Sequence, residues 1–252
     1  MREETDPLSA MQPFFGKGLI TDVLYLVKSG KEATVYCCRA HPSTGVELLA
    51  AKLYRPRDDR SFKNDAVYQE GRYYGKGRES RAVKKKTRLG REVAFGTWVY
   101  REWDVLNLLY RAGAAVPRPW AQAGGAVLME YVGDDGGPAP ILHRLCVQPE
   151  EARELYGLVL DNVALWLRHN IVHADLSPYN ILYQKGRAWV IDFPQAVDAR
   201  FNPTARMLLG RDVSNVCAYF ARYGLVPDAA KIAARMWGHY SAGGERVPGL
   251  IV

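Results

Sequence analysis

The spacing of apolar positions changes near the middle of the chain. In the first half they form short runs: Val23-Leu24-Tyr25-Leu26-Val27, Val35-Tyr36-Cys37-Cys38, Glu47 to Tyr54, and Ala126 to Gly133. Runs of this length, rich in β-formers and bounded by Gly, Ser and Lys, predict strands. Between the third and fourth runs, Val99, Trp103, Leu106 and Tyr110 recur at helical spacing, and Trp98 and Leu109 widen that face. Asp134-Asp135-Gly136-Gly137-Pro138 then reads as a linker. Beyond it the pattern is mainly helical. Pro149-Glu150-Glu151 opens a helix that runs to about His169, with proline suited to the first turn and the acids to the positive end of the dipole. Arg211 to Tyr223 and Asp228 to Tyr240 predict two more helices. Ile181-Leu182-Tyr183 and Ala188-Trp189-Val190-Ile191 read as short strands joined at Lys185-Gly186. The order predicts an α+β fold: an N-lobe over 1–132, with a sheet and one helix, and a helical C-lobe over 133–252.

Polar residues inside these apolar stretches carry the chemical signal. Lys52 stands in the strand from Glu47 to Tyr54, where a lysine is ordinarily an edge or solvent-facing residue. Glu102 projects from within the apolar stripe of the helix, since one turn takes about 3.6 residues. A carboxylate in that setting is costly unless a cation pairs with it, and Lys52 is the natural partner. In kinases such a pair holds the lysine on nucleotide phosphates.

The densest signal is His173-Ala174-Asp175-Leu176-Ser177-Pro178-Tyr179-Asn180, followed by Val190-Ile191-Asp192-Phe193. Asp, Asn and Pro are common turn residues, so each alone fits a turn or a cap. Together they place an acid, a carboxamide and a second acid in the order that phosphoryl transfer uses. Asp175 would orient or deprotonate a hydroxyl, and Asn180 and Asp192 would offer oxygen ligands to Mg²⁺. The strand–turn–strand around Ser29-Gly30-Lys31 forms a flap whose backbone N–H groups can face phosphates. A plain hairpin turn explains Ser29-Gly30 as well. At the other end of the sheet, backbone groups near Glu130 and Val132, where the strand runs into the linker, would bind a flat base.

With these residues in view, the chain resembles the RIO family of atypical serine/threonine kinases. Ser29-Gly30-Lys31-Glu32-Ala33-Thr34-Val35-Tyr36, Lys52, Glu102, the loop from His173 to Asn180, Ile191-Asp192-Phe193-Pro194-Gln195-Ala196-Val197 and Arg211-Asp212-Val213-Ser214-Asn215-Val216 carry the resemblance. It covers roughly residues 20 to 225. It implies a bilobal protein kinase-like fold with an antiparallel N-lobe sheet and no long activation segment after Asp192. It implies ATP with Mg²⁺ (or Mn²⁺) as cofactors, Lys52 on the phosphates, Glu102 holding Lys52, and Asp175 as catalytic acid/base. Asn180 and Asp192 would be the metal ligands, and Asp212 would steady the catalytic loop. The same family implies that Asp192 can accept the phosphoryl group as an aspartyl-phosphate, so that ATPase turnover accompanies autophosphorylation. The flap wording is similar to one RIO subgroup and Asp192-Phe193-Pro194-Gln195 to another. A short N-terminus without room for a winged helix and the lack of a long C-terminal tail point to a compact, bacterial type of member.

Composition agrees with a single kinase-sized domain. The chain has 252 residues and is 48% hydrophobic, enough to bury a sizeable core. Its net charge of +7 is uneven: Arg55 to Arg91 holds 13 Lys/Arg against 5 Asp/Glu, a local surplus of +8. This basic insertion (55–91), punctuated by Tyr68, Tyr73 and Tyr74, is expected to be mobile without nucleotide, and RNA or a ribosomal particle is its candidate partner. A solvated loop that keeps the protein soluble fits the same composition. Cys37, Cys38, Cys146 and Cys217 have neither zinc nor disulfide spacing and read as reduced core thiols. No signal peptide or membrane-length apolar run is present, so a cytoplasmic protein without membrane contact is expected. Two other readings stay open on the residues alone. One is a small-molecule phosphotransferase of aminoglycoside or choline kinase type, although only about 60 residues follow Asp192 to build its substrate lobe. The other is a non-catalytic nucleotide-binding scaffold.

Overall fold

The computed structural model describes residues 6–55 and 88–243. The core of the basic insertion, with Tyr68, Tyr73 and Tyr74, lies outside the described residues, as does the side chain of Trp98. The described chain forms two compact units. The first comprises 6–55, 88–107 and 117–138, and the second 108–116 and 139–243.

The first unit opens with helix α1 (Pro7–Gly16), which the hydrophobic pattern had not indicated. Asp6 caps it by accepting the Leu8 N–H at 3.2 Å, and Pro7 occupies the first turn. The helix sends Met11 and Phe14 into the core with Ile20, Cys38, Leu49, Ala51 and Leu128. Burying each of those two side chains contributes roughly 1.5–3 kcal/mol. Strands β1 (Ile20–Ser29), β2 (Ala33–Ala40) and β3 (Leu48–Tyr54) follow, then helix α2 (Arg88–Arg111), β4 (Pro119–Ala123) and β5 (Ala126–Glu130). The five strands form one antiparallel sheet in the order β1-β2-β3-β5-β4. β3 is therefore interior, and Lys52 pairs with Val35 on one side and Val127 on the other.

Three expectations need correction here. β1 is longer at both ends than the run from Val23 to Val27. The apolar run expected to reach Gly133 leaves the sheet after Glu130, and the linker folds into a small hairpin, β6 (Gly133–Asp134) with β7 (Gly137–Pro138). Among the described side chains of α2, the buried stripe is Val99, Glu102, Val105, Leu106 and Leu109, whereas Tyr110, placed in it by spacing, is exposed. The hydrophobic face is thus rotated by about one residue, and an amphipathic tyrosine tolerates the boundary position.

In the second unit a 3₁₀ turn, Leu142–Arg144, precedes α3 (Pro149–Arg168), which has Pro149 in its first turn and Glu150 and Glu151 beside it. Next come β8 (Ile171–Val172), β9 (Ile181–Gln184), β10 (Arg187–Val190) and β11 (Val197–Asp198). β9 and β10 form a hairpin whose turn residues Lys185 and Gly186 have φ of 52° and 77°, the left-handed pair that matches strand twist. Helix α4 (Ala205–Phe220) starts six residues before Arg211, because Ala205, Leu208 and Leu209 extend its buried stripe. A single 3₁₀ turn, Ala221–Tyr223, ends it. Helix α5 (Ala229–Ser241) is capped by Asp228, which accepts the Lys231 N–H at 2.9 Å. The core of this unit includes Trp166, Phe193, Phe220, Leu155 and Leu160. From Asp192 to the start of α4 at Ala205 there is only β11, paired with β8, and no long activation segment. Cys37, Cys38 and Cys217 are buried free thiols as expected, but Cys146 is exposed. Among the described residues, no helix is long and apolar enough to cross a membrane.

Candidate active site

In the first unit, the interior position of β3 removes the ordinary account of a strand lysine. Lys52 Nζ donates to both Glu102 carboxylate oxygens, at 2.8 and 3.0 Å. The Glu102 side chain is 1% exposed and that of Lys52 12%. A buried ion pair of this kind stands only with close geometry, since each charge alone would carry a large desolvation cost. Lys52 Nζ also lies 5.0 Å from the centre of the Tyr54 ring, a cation–π contact.

The flap joins β1 to β2. Ser29 closes β1, and its hydroxyl accepts from Arg55 Nη2 at 2.8 Å, while Thr34 Oγ1 accepts from the same nitrogen at 3.3 Å. Arg55 also donates its backbone N–H to the Glu32 carbonyl at 2.9 Å, so one residue braces the turn from three sides. Gly30 donates its N–H to the Ala33 carbonyl, and Lys31 is exposed. A Cβ on Gly30 would make only an ordinary 3.4 Å contact. At the far end of β5, the Glu130 carboxylate accepts the Arg118 N–H at 3.0 Å, and Val132 is buried.

In the second unit, the loop that carries Asp175 is held from α4. Ala174 and Leu176 donate their backbone N–H groups to Asp212 Oδ2 and Oδ1 at 2.7 and 3.0 Å. Arg211 donates to the Ala174 carbonyl, and Asn215 Nδ2 to the Leu176 carbonyl at 2.9 Å. Ala174 has φ of 67°, a conformation that costs a non-glycine residue about 1–2 kcal/mol. Both of its backbone groups are clamped, which offsets that cost. Asp192 is also left-handed, with φ of 74°, and aspartate tolerates this better than most residues.

Histidine links the loop to the second acid. The Asp175 N–H donates to His173 Nδ1 at 3.3 Å, which leaves Nε2–H to donate to the Ile191 carbonyl at 3.2 Å. Ile191 in turn donates its N–H to the Asn180 carbonyl, and Asn180 Nδ2 donates to the Asp175 carbonyl, each at 2.9 Å. Asp175, Asn180 and the residue before Asp192 thus share one hydrogen-bonded frame.

The electrostatics follow from this crowding. Asp175 is an exposed residue, yet partial burial of its carboxyl, and then the charge of Asp192, raise its pKa, with Arg211 opposing. Burial raises Asp212 to about 7, against the two backbone N–H bonds and Arg211, which favour its charge. Among the described residues no group of three or more His, Cys, Asp or Glu is arranged to hold a metal ion. The oxygens of Asn180 and Asp192 suit a hard cation instead, because the amide nitrogen of Asn180 is committed to Asp175. A divalent cation there would also offset the repulsion between Asp175 and Asp192.

The family resemblance implies the role of Asp212 but not the work of its neighbours. Arg211, Asp212 and Asn215 lie on one face of α4 at helical spacing, and polar residues on a largely buried face were the available signal. Arg55 had no local signal at all, being one of many basic residues at the edge of the insertion.

An interior strand lysine paired with a helix glutamate, and a looped Asp–Asn–Asp set held from a helix, define a protein kinase-like α+β fold. The chain belongs to the RIO domain family, whose model matches residues 34–232. It is 30% identical over 210 residues to the serine/threonine-protein kinase RIO1 of Caenorhabditis elegans, covering 83% of this chain and 39% of that protein. The human serine/threonine-protein kinase RIO1 is 31% identical over 229 residues, covering 87% of this chain and 37% of that protein. The RIO-type serine/threonine-protein kinase Rio1 of Thermoplasma acidophilum is 35% identical over 147 residues, covering 58% of this chain and 76% of that protein. The chain thus spans well under half the length of the two animal relatives. In fold it resembles the crystal structure of the Rio2 kinase-ADP/Mg²⁺-phosphoaspartate complex from Chaetomium thermophilum. That match has a TM-score of 0.62 and 20% identity and covers 93% of this chain and 74% of the other.

Proposed function

We propose that the chain is an ATP- and Mg²⁺-dependent serine/threonine protein kinase of RIO type that phosphorylates itself and also turns over ATP as an ATPase. The observation that carries this reading is the frame linking Asp175, Asn180 and Ile191–Asp192, held from α4 by Arg211, Asp212 and Asn215. Family membership supports it, as do the kinase names of the relatives.

Each residue has a role in this reading. Lys52, held by Glu102, meets the nucleotide phosphates. Ser29, Gly30 and Lys31 form the flap over them, and backbone groups of Glu130 and Val132 meet the base. Asn180 and Asp192 hold Mg²⁺, or Mn²⁺ in its place, which supplies charge stabilisation to the transferring phosphoryl group. Asp175 takes the proton of the acceptor hydroxyl as its oxygen bonds to the γ-phosphorus and the bond to ADP breaks. Its raised pKa keeps it closer to the working pH of a base than an ordinary carboxylate.

Asp192 serves a second path. A carboxylate oxygen of Asp192 attacks the γ-phosphorus, ADP leaves, and water later cleaves the acyl phosphate to return the carboxylate and inorganic phosphate. The phosphoaspartate in the similar Rio2 complex favours this path. Contact with RNA or a ribosomal particle through 55–91, and a cytoplasmic setting, belong to the same proposal. The support for the contact is the charge surplus of that segment, and for the setting the four free cysteine thiols.

Incubation with Mg²⁺ and γ-labelled ATP tests the chemistry. Label retained on the protein should be released in part by hydroxylamine, which cleaves acyl phosphates, and that fraction should vanish in Asp192→Asn. Label that is wholly hydroxylamine-resistant and maps to serine or threonine would remove the covalent path and keep the kinase. Absence of any transfer would remove both.

A further inference from the structure

Tyr131 stands between Glu130 and Val132, the two positions assigned to the base. It is buried, and its hydroxyl lies 2.8 Å from that of Tyr25 on β1, a residue 106 positions away in sequence. Either oxygen can donate. Four residues beyond Tyr25, β1 ends at Ser29 and the flap turn begins.

Two further observations show that this contact is built in. The first is the seat of the Tyr131 ring. A Cβ on Gly133 would fall 2.6 Å from Tyr131 Cε1, 2.5 Å from the Gly137 carbonyl oxygen and 2.9 Å from Pro138 Cα. Only glycine lets the ring and the β6–β7 hairpin keep their places together. The second is the weakness of the ladder around Tyr25. β1 is an edge strand of the sheet, and its register with β2 slips between Val23 and Tyr25 and again between Leu26 and Lys28. At each slip the ladder is locally disrupted and a residue is left unpaired. The hydroxyl pair ties down β1 between those slips.

We propose that Tyr25 and Tyr131 form a latch that fixes the phosphate-side flap relative to the base-binding segment, which makes both of them positioning residues for nucleotide binding. The idea rests on the nucleotide reading of this unit. The latch is neutral: burial, then the bond to Tyr25, pushes the Tyr131 phenol well above its ordinary value, and Tyr25 is raised too. The Cys37 thiol, opposite Tyr25 on β2 and in reach of its hydroxyl, is likewise raised by burial, and the nearby charge of Asp134 pushes both phenols further up, so all three groups stay protonated at neutral pH.

The test compares wild type with Tyr25→Phe, Tyr131→Phe and the double variant, which keep both rings and remove only hydroxyls. MgATP and adenosine are titrated into each. One net hydrogen bond corresponds to a loss of about three- to tenfold, so each single variant should bind MgATP that much more weakly. The double variant should lose no more than either single one, because the bond is gone once one partner is removed. Adenosine, which has no phosphates for the flap to meet, should bind all four proteins alike. A purely structural role would weaken both ligands together, and that outcome overturns the latch. So does unchanged MgATP binding in the variants, or a double loss equal to the product of the singles. A wild type that binds neither ligand overturns the nucleotide reading and the latch with it, and is told apart by that titration alone.

Discussion

Asp212 should impose a measurable pH dependence on stability. It is 1% exposed, and its pKa rises from an ordinary 3.8 to about 7 in the folded chain. Below pH 3.8 the group is protonated in both states and contributes no difference. As pH rises from there, the unfolded chain releases the proton while the folded one keeps it, so stability falls until the folded group ionises near 7. A change from 3.8 to about 7 corresponds to a loss of about 4 kcal/mol across that window. In Asp212→Asn this loss is absent. The variant carries a different cost, independent of pH: one carboxamide oxygen cannot serve both N–H donors, and its NH₂ would face the other. Urea unfolding of both proteins from pH 4 to 8 reads the effect. The stability of wild type relative to Asp212→Asn should decline by about 4 kcal/mol between pH 4 and 7.5 and then level off. Parallel curves, with a constant offset at every pH, would refute a buried carboxyl that stays protonated to near neutrality.

Breaking the Lys52–Glu102 pair should be worse than deleting it. Lys52→Met, which leaves a buried carboxylate alone, should cost about 3 kcal/mol or more, and adding Glu102→Gln should recover part of that in the same urea assay. Additive losses would show that the two charges do not depend on each other. Gly133→Ala should lower stability by about 1–3 kcal/mol, because a Cβ at 2.5 Å from a backbone carbonyl forces the hairpin or the Tyr131 ring to move. A melting temperature equal to wild type would show that this contact relaxes freely.

Most of the fold was legible because each stretch carried one dominant period. The helix at Pro149 announced itself through proline and two acids, and the β9–β10 hairpin through Lys185-Gly186. Helix α1 did not, since Pro13 and the mixed face of residues 7–16 mask its period, and its burial depends on the sheet beneath it. Tyr110 was placed one residue wrong because aromatic and aliphatic positions on α2 define overlapping faces. Among candidate site groups, Glu102 stood out as a charge within an apolar stripe, where a bare charge is too costly to be incidental, and Lys52 as the cation to pair with it, whereas Asp212 was marked only by the family resemblance. Arg55, Tyr25 and Tyr131 gave no such warning. Arginine at a basic segment and tyrosine in a strand are ordinary, and only the folded register brings their polar ends to Ser29 and to each other.

The central claim is phosphoryl transfer with Asp175 as the base. The most direct measurement compares wild type and Asp175→Asn for MgATP binding and for transfer from γ-labelled ATP in the same preparation. The expected result is binding within a few-fold of wild type and transfer lower by about 10²-fold or more. Transfer by Asp175→Asn at the wild-type rate would contradict the account.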